Sequence, residues 1–523
     1  MKNLLFLFTA VILFAAAAAC GQTVGGTVFE DLNRNAILDP GEKGVAGVLV
    51  SNQLEVVKTN GQGRYILPVR EEDIIYVIKP SGYNVLIDTL NLPRFYYIHD
   101  PDGSPPLKYP GIAPTGPLPG EINFPLYRTD SPDSFSVIVF ADPQPRGKEE
   151  IDYIRDDVVA ELVDHDAAFG IVLGDIMYDD LSLYDDYTNV LKEIGLPFYH
   201  VPGNHDTNYD AEGDRNSMET YKRHFGPPTY AFEYGKVSFI VLDVMDYKGR
   251  NEKGAPQFDG RIGPEQMKWL KNYLSHVPKD HLVVLNMHFP IWTFVGSHPS
   301  LQVLDRDTLA QVLINHDYRL ALAGHMHMIE HQYLTEEHGW PGDKPLYQII
   351  CGAVSGSWWS GPMDTRGIPV ADQRDGVPNG YHIFTFEGNQ FHEFYKPAYF
   401  GTDFQMRISS PTGNISADSL RNIEIVVNVF DGNEKSVVEC RIDGGESATM
   451  SREISTDPFF ERMHSRNKEL YLGWINPMKS VHIWKAPLPE NLEPGIHSIV
   501  VKTTNQWGQS YQTARIFEVV QSK

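Results

Sequence analysis

Five short segments rich in metal-binding side chains are the feature that most constrains this fold. Each lies at or just past the end of an apolar stretch whose length and composition predict a β-strand. In chain order the segments are Asp142-Pro143-Gln144, Gly174-Asp175, Gly203-Asn204-His205-Asp206, His288, and Gly324-His325-Met326-His327. A sheet that delivers carboxylate, amide and imidazole groups to one edge can hold metal ions, and this number of donors predicts two of them.

The region from 133 to 398, which contains all five segments, has the pattern of an α/β (α+β) sandwich with helices outside two mixed β-sheets. The predicted strands are Phe135 to Phe140, Phe169 to Leu173, Phe198 to Pro202, His281 to Met287 and Arg319 to Ala323, with a hairpin of Tyr230 to Glu233 and Val237 to Asp243. Apolar residues at i, i+3 and i+4 predict helices over Ile151 to Val163 and Gln266 to Val277. His325 and His327 alternate by two, which on a straight strand would place both on one face.

Two all-β regions are predicted to flank this central domain. Residues 23–128 carry short strands separated by Gly and Asn turns, which predicts a small β-sandwich, and they resemble the prealbumin-like or SdrD-B-type modules of bacterial surface proteins. Residues 400–523 alternate polar and apolar side chains in Asn422 to Val429 and Gly495 to Lys502, which predicts a second sandwich. We expect Trp474, His482 and Trp484 to pack in its core.

A calcium loop is one interpretation of the acidic stretch near the start of the first flanking region. Oxygen-bearing side chains fall at loop positions 1, 3, 5, 9 and 12, which are the spacings that wrap a hard cation; these residues are Asp31, Asn33, Asn35, Asp39 and Glu42. Ala36 departs from the pattern, because a sharp bend at that position favours glycine. The alternative is a surface turn rich in Asn and Asp.

The first 20 residues predict export. Lys2 precedes an apolar stretch from Leu4 to Phe14, and a run of alanines then ends at Cys20, as in a secretory signal peptide. We therefore expect a periplasmic or outer-surface protein, either cleaved and released or lipid-anchored through Cys20, with no transmembrane span in the mature chain. Of the later cysteines, Cys351 and Cys440 are expected to be buried thiols rather than a disulfide.

The net charge of −24 disfavours one class of partner. Binding to a nucleic-acid backbone requires clustered Lys and Arg, so we predict no nucleic-acid binding surface. The five metal segments resemble those of a phosphoesterase superfamily. Together with export, that resemblance implies a phosphorylated small molecule, or a phosphate ester of an envelope glycan, as the partner.

Between Ser134 and Lys396 the five segments resemble the calcineurin-like metallophosphoesterase superfamily. The resemblance implies a sandwich fold with a dinuclear metal centre of manganese, iron or zinc. It makes Asp175 the bridging ligand, since a carboxylate has two oxygens and a charge that offsets the repulsion between two cations. The resemblance also assigns Asn204, His288 and His325 to one metal ion, and Asp142, Gln144 and His327 to the other.

Two residues set this chain apart from the usual pattern. The first motif of the family usually has His where this chain has Gln144, and an amide oxygen is a weaker, harder donor than imidazole. Tyr178, three residues after Asp175, resembles the tyrosine that binds ferric iron in purple acid phosphatases. Tyr178 is therefore either a ligand or a residue that packs beneath the site.

His205 follows the ligand Asn204, and the resemblance makes it the general acid that protonates the leaving oxygen. Imidazole titrates close to neutral pH and suits that task. Either Asp206 or Asp179 can orient it. The expected reaction is hydrolysis of phosphate mono- or diesters by hydroxide generated on the metals, followed by proton donation from His205.

The loops after the strands are expected to select the substrate. Trp358 and Trp359 can stack a sugar or base, or they can anchor their loop in the core, and Arg146 can contact a phosphate or face solvent. Two alternative functions remain: a surface binding protein whose metal domain is catalytically weak, and an iron enzyme of the purple-acid-phosphatase type.

Overall fold

The computed structural model describes residues 22–521. The predicted signal peptide over residues 1–20 and the candidate lipidation site Cys20 lie outside the described residues. Within 22–521 no helix combines the length and the apolar composition needed to cross a membrane.

The centre of the molecule is a pair of mixed β-sheets facing each other across one hydrophobic core. One sheet runs in the order Phe198–His200, Phe169–Val172, Ser134–Phe140, Gly380–Glu387 and Gln390–Pro397, with the first three strands parallel. The other runs in the order Tyr230–Tyr234, Val237–Val241, Leu282–Asn286, Arg319–Ala323, Leu346–Ile350 and Glu330–Leu334. The predicted sandwich of two mixed sheets is confirmed.

Helices connect the parallel strands, because a parallel crossover needs a long connection. They span Lys148–Asp157, Tyr184–Leu191, Glu219–Phe225, Gly263–Leu274 and Arg306–Leu313. A β-ribbon of Met245–Arg250 and Pro256–Gly260 extends from the second sheet. Pro264 lies in the first turn of its helix, as predicted.

Both predicted helices differ from the observed ones at their ends. The first ends at Asp157 rather than Val163, because Val158 leaves the helical conformation at φ −118° and a 3-10 turn follows over Val159–Glu161. The second begins three residues early, where the Asp305 carboxylate accepts hydrogen bonds from the backbone of Ile262 and Gly263. That cap comes from a residue more than 40 positions away, so local periodicity could not indicate it.

The N-terminal region forms two four-stranded sheets packed on the central sandwich. One consists of Arg64–Val69, Gln22–Glu30, Phe124–Arg128 and Tyr83–Asn84, and the other of Val56–Lys58, Leu49–Ser51, Asp73–Ile78 and Tyr96–His99. A short ribbon pairs Leu86–Ile87 with Pro93–Arg94. The Trp269 indole donates to the Ser51 hydroxyl at 3.0 Å across the contact with the central domain.

The C-terminal region also forms two sheets, with a separate core around Val427, Trp484 and Ile499. One sheet is Met406–Ser410, Glu424–Val429, Ser480–Pro487 and Ser451–Ser455; the other is Asn414–Ser416, Ser510–Val520, Gly495–Thr504, Val437–Ile442 and Ala448–Thr449. A helix over Pro458–Arg466 lies in the connection before Ser480.

The structure confirms two of the three predicted core residues of this region and contradicts the third. Trp484 and His482 are buried, as expected, but Trp474 is 51% exposed, so its predicted place in the core is wrong. Its segment, 471–478, lies outside both sheets and is turned toward the central domain. Cys351 and Cys440 are buried free thiols, as predicted.

Candidate metal centre

The predicted metal ligands occupy tight turns directly after strands. Five of them have left-handed backbone conformations that non-glycine residues adopt at a cost: Asp142 (φ 47°), Gln144 (38°), Asp175 (50°), His325 (74°) and His327 (49°). His325 and His327 therefore do not continue a straight strand, and the expectation of simple alternation is wrong for them. Their side chains converge because the turn, rather than a pleat, directs them.

Glycine precedes several ligands because the turns approach one another closely. A Cβ atom on Gly174 would lie 2.7 Å from Nδ1 of His288, and one on Gly203 would lie 2.1 Å from the backbone nitrogen of Asp175. Any larger residue would push the ligand-bearing turns apart. The Gly-Asp and Gly-Asn pairs of the sequence are thus explained by space at the site.

All seven predicted ligands lie around Asp175. His288 Nε2 is 3.2 Å from Asp175 Oδ2 and 3.2 Å from Asn204 Oδ1, and donor atoms of Asp175, His288 and His325 all lie within 4.8 Å of one another. From the second predicted ligand set, Gln144 Nε2 is 2.5 Å from the same Asp175 oxygen, Oδ2. His327 Nε2 is 3.5 Å from Asp142 Oδ1, while the backbone N–H of His325 donates to Asp142 Oδ2 at 2.8 Å. Asp175 thus joins two groups of donors.

Backbone carbonyls fix the three imidazoles in the form that binds metals. His288 Nδ1 lies 2.8 Å from the Leu173 carbonyl, and His325 Nε2 lies 2.9 Å from the Ser300 carbonyl. His327 Nδ1 lies 2.6 Å from the Gly356 carbonyl. A carbonyl only accepts, so each of these nitrogens carries the hydrogen and the other ring nitrogen keeps its lone pair for an ion.

The buried charges around Asp175 fit the binding of cations. Burial raises the pKa of Asp142 to about 7, and the neighbouring Asp175 charge acts in the same direction. Burial lowers the pKa of His327 to about 3, which keeps that imidazole neutral. Gln144 Oε1 is buried without a hydrogen-bond partner. Burial would also lower the pKa of His288, but the charge of Asp175 raises it to about 9. Buried carboxylates, imidazoles and an unpartnered amide oxygen form a donor set suited to two metal ions.

His205 lies at the edge of this cluster and is held on three sides. Its backbone N–H donates to Asp175 Oδ1 at 2.9 Å, and its Nδ1 is 2.7 Å from Asp179 Oδ1. The Tyr178 ring stacks on the imidazole with centroids 4.7 Å apart. Burial alone would lower the pKa of His205, but Asp175 and Asp179 together raise it to about 9.

The carboxylate that contacts His205 is Asp179, and Asp206 has a different place. Asp206 is fully buried and accepts hydrogen bonds from the backbone N–H groups of Gly203 (2.8 Å), Ile176 (3.1 Å) and Met177 (3.3 Å). The Tyr184 hydroxyl donates to it at 3.0 Å. Asp206 therefore ties the turn after Asp175 to the turn that carries His205. The structure places Asp179, and not Asp206, against the His205 ring, and a catalytic role for Asp206 stays a prediction.

Two further side chains named from the sequence have defined contacts. The Tyr178 ring packs on His205, and burial followed by the Asp179 charge raises the pKa of its hydroxyl. Arg146 forms a close ion pair with Glu150, with Nη2–Oε1 at 2.5 Å and Nε–Oε1 at 2.8 Å. Its charge is thus already matched within the protein.

The two adjacent tryptophans have different environments. Trp359 is buried and its indole N–H donates to the Pro143 carbonyl at 3.0 Å, so it anchors the Asp142 turn. Trp358 stacks on the His327 ring with centroids 3.7 Å apart and an interplanar angle of 15°. Trp474 then meets Trp358 edge-to-face at 6.3 Å. An aromatic surface therefore continues from a metal ligand outward to the C-terminal region.

Residues 471–478, which we name the C-terminal flap, are fixed beside His327. The Met478 N–H donates to the Arg374 carbonyl at 2.8 Å, and Met478 packs with Met326 and Met328. The Arg374 N–H in turn donates to the His327 carbonyl at 3.3 Å. Nε of Arg374 is buried without a hydrogen-bond partner. The sequence pattern gave no signal for this arrangement, because it joins residues about 150 positions apart.

Models of known protein families match most of the chain. The calcineurin-like phosphoesterase model matches residues 135–328, its N-terminal companion matches 33–107 and its C-terminal companion matches 349–511. A probable glycerophosphodiester phosphodiesterase of Arcobacter nitrofigilis is 29% identical over 150 residues, which is 28% of this chain and 51% of the relative. The chain thus spans about half the length of that curated relative.

Two solved structures resemble the chain at low sequence identity. A dimetal phosphatase from Danio rerio has 16% identity and a TM-score of 0.32, covering 51% of this chain and 99% of its own. A purple acid phosphatase from yellow lupin (Lupinus luteus) has 13% identity and a TM-score of 0.36, covering 72% of this chain and 66% of its own.

Proposed function

We propose that this chain, which belongs to the calcineurin-like phosphoesterase family, hydrolyses phosphate mono- or diesters at a dinuclear metal centre outside the cytoplasm. The observation that carries the proposal is the convergence of the other six predicted ligands on Asp175, with His205 beside them. The signal-like N terminus supports export, and Cys20 supports a lipid anchor. The substrate proposed is a phosphorylated small molecule or an envelope glycan phosphate.

Each residue of the site has a defined part in this reaction. When two metal ions are bound, they neutralise phosphate oxygens and lower the pKa of the attacking water. Asp175 would hold both ions, with Asn204, His288 and His325 on one side and Asp142, Gln144 and His327 on the other. Asp179 accepts the Nδ1 hydrogen of His205 and so directs the Nε2 hydrogen outward. His205 delivers that hydrogen to the leaving oxygen.

A substrate panel with paired metal analysis tests the proposal. Protein reconstituted with manganese, zinc or iron is assayed on phosphomonoesters, phosphodiesters and glycan phosphates, and its metal content is measured on the same samples. We expect turnover that rises with occupancy to two ions per chain. Full occupancy with no turnover on any ester would favour the alternative, a surface binding protein with a weak metal domain.

The second candidate function, an iron enzyme of the purple-acid type, rests on Tyr178, which follows Asp175 by three residues and stacks on His205 beside the candidate centre. Phenolate bound to ferric iron gives a visible charge-transfer absorption. Such a band in the iron-loaded protein, lost in Tyr178→Phe, would identify Tyr178 as a ligand. A colourless, active protein leaves Tyr178 as a packing residue.

Replacing Gln144 by His is expected to increase metal retention. Gln144 offers only a weak amide oxygen to its ion, and an imidazole at this buried position is a stronger donor for zinc. We expect Gln144→His to hold its second zinc ion against a chelator concentration about tenfold higher than wild type, equivalent to about 1.4 kcal/mol. Competition with a chromophoric chelator measures this. Gln144→Ala is the matched control and should retain the second ion less well than wild type.

Replacing Trp474 by Ala is expected to affect large substrates selectively. Trp474 is exposed next to Trp358, so it can contact the part of an ester that extends away from the metals. Loss of one stacked ring costs about 1 kcal/mol, or roughly a fivefold rise in KM for a ring-bearing ester. KM for a small alkyl ester should not change. Trp507→Ala, in a tryptophan that lies against Phe391 instead, is the matched control.

Calcium binding by the loop from Asp31 to Glu42 remains a prediction. The Asp31 carboxylate accepts the backbone N–H groups of Arg34 and Ala36, and Glu42 accepts those of Leu32 and Asp39. Ala36 adopts φ 64° at the position where glycine is favoured. We propose weak, millimolar-range affinity for this reason. Calorimetry with the full chain at millimolar calcium is the test, and no binding heat would exclude the site.

A further inference from the structure

A second group of potential metal ligands lies at the contact between the central sandwich and the C-terminal sheets. His331 comes from the strand Glu330–Leu334, Glu393 from Gln390–Pro397, and Asp431 follows Glu424–Val429. Their donor atoms all lie within 4.8 Å of one another. We propose that His331, Glu393 and Asp431 bind a third metal ion, a divalent transition-metal cation such as Zn²⁺, which joins the two parts of the chain.

The environment of Glu393 is the main support for a cation. The backbone N–H of Gly352 donates to His382 Nε2 at 3.0 Å, so the ring hydrogen of His382 is on Nδ1. That Nδ1 lies 2.5 Å from Glu393 Oε1 and donates to it. The second carboxylate oxygen, Oε2, is buried and has no hydrogen-bond donor. Glu393 therefore presents an unpartnered oxygen inside the protein.

The Asp431 carboxylate adjoins that of Glu393. A second negative charge nearby raises the free energy of burying the unpartnered Glu393 oxygen. Both side chains are shielded from water, with Glu393 fully buried and Asp431 11% exposed. Two carboxylates in contact at low dielectric cannot both remain charged unless a proton or a cation lies between them. The adjacent imidazole favours a metal ion over a proton alone, because it adds a third donor of the type that zinc prefers.

His331 is oriented as metal-binding histidines are. Its Nε2 lies 2.5 Å from Asp431 Oδ1, and its Nδ1 lies 2.6 Å from the Tyr347 hydroxyl. The Tyr347 oxygen also accepts from Gln506 Nε2 at 2.8 Å. A carboxylate only accepts, so Nε2 of His331 donates to Asp431 in this contact. A bound ion would replace that hydrogen, and the hydrogen bond between Nδ1 and the Tyr347 hydroxyl would fix the ring.

The fourth ligand of the proposed ion would be a water molecule. A small cavity of about 20 Å³ lies on the Asp431 side of the group, where Asn505 and Gln509 also line it. That volume accommodates about one water molecule. One imidazole, two carboxylates and one water complete a four-coordinate zinc site. The residues come from both the central and the C-terminal sheets, so the ion would stabilise their contact and hence the position of the C-terminal flap.

The experiment counts zinc in full-length chain whose dinuclear centre has been disabled by Asp142→Asn and Asp175→Asn. We expect this background protein to retain about one zinc ion per chain and to unfold at a higher temperature when Zn²⁺ is added. Adding Glu393→Gln should abolish both effects. Asp372→Asn, in a buried carboxylate that pairs with Arg407 at the same contact, is the matched control and should retain both.

Two results would overturn the proposal. The first is a folded background protein, verified by circular dichroism, that binds no zinc and shows no thermal shift; the carboxylates would then share only a proton. The second is zinc binding that Glu393→Gln leaves unchanged. If the background protein does not fold, wild type and Asp431→Asn are compared instead, and an equal zinc content in the two would likewise reject the site.

Discussion

Replacing Asp175 by Asn is expected to lower kcat/KM for phosphoester hydrolysis by about three orders of magnitude, equivalent to about 4 kcal/mol. Asp175 is the group around which the other six donors converge, with His288 at 3.2 Å and Gln144 at 2.5 Å. An amide has the size of a carboxylate but offers one oxygen and no charge, so it cannot offset the repulsion between two cations. Metal content and turnover, measured on the same samples, should fall together.

A control for Asp175→Asn must show that the loss of activity comes from this site, and not from removing any buried carboxylate. Asp372→Asn removes a buried carboxylate at the C-terminal contact and should leave turnover close to wild type. Asp175 Oδ1 also accepts the backbone N–H of His205, and the amide oxygen of Asn can preserve that bond. Asp175→Asn with two bound ions and near-normal turnover would show that Asp175 does not bridge the ions.

The clustering of the candidate ligand residues is predictable, because strand periodicity and segment order can both be read from the sequence. Apolar strands followed by Asp142, Asp175, His288 and His325 predict one sheet edge, and this prediction is wrong. Asp142 and Asp175 follow strands of the first sheet, whereas His288 and His325 follow strands of the second, and the site lies where the two sheets meet. The turn geometry was not predictable, since the left-handed conformations of Asp142 and His327 depend on close contacts with other turns. Alternation along a strand therefore predicts that His325 and His327 lie together, but the turn, not the pleat, brings them there.

The groups that orient the ligands were missed because they leave no pattern in the chain. The carbonyls of Ser300 and Gly356, which hold the rings of His325 and His327, belong to the backbone, and any residue type can supply them. Trp474 was placed in a core because an isolated aromatic residue in a β-rich region usually packs there. The tertiary contact with Trp358 decides otherwise.

The choice between Asp206 and Asp179 as the partner of His205, the proposed general acid, shows the same limit of local sequence signals. Asp206 is adjacent to His205 in the chain, but both belong to one 3-10 turn, and the Asp206 carboxylate is held by the backbone of Gly203 and Ile176. Asp179 is 26 positions away and reaches Nδ1 of His205 from the loop after Asp175. Adjacency in sequence therefore predicts the wrong partner for His205.

Replacing His205 by Ala is expected to lower kcat roughly 10²- to 10⁴-fold on esters with a poor leaving group, the usual contribution of a positioned general acid. An ester with a strongly acidic leaving alcohol needs little protonation, so its kcat should fall far less. Metal content should stay near wild type, because in the proposed centre the seven ligands hold the ions and His205 binds neither.

Asp179→Asn should lower kcat on the same esters with a poor leaving group, but by a smaller factor, because it leaves the imidazole present but weakly oriented. Equal losses on both kinds of ester, or loss of metal in His205→Ala, would contradict proton donation by His205. The dependence on leaving group is the decisive measurement, since a purely structural role would lower both rates alike.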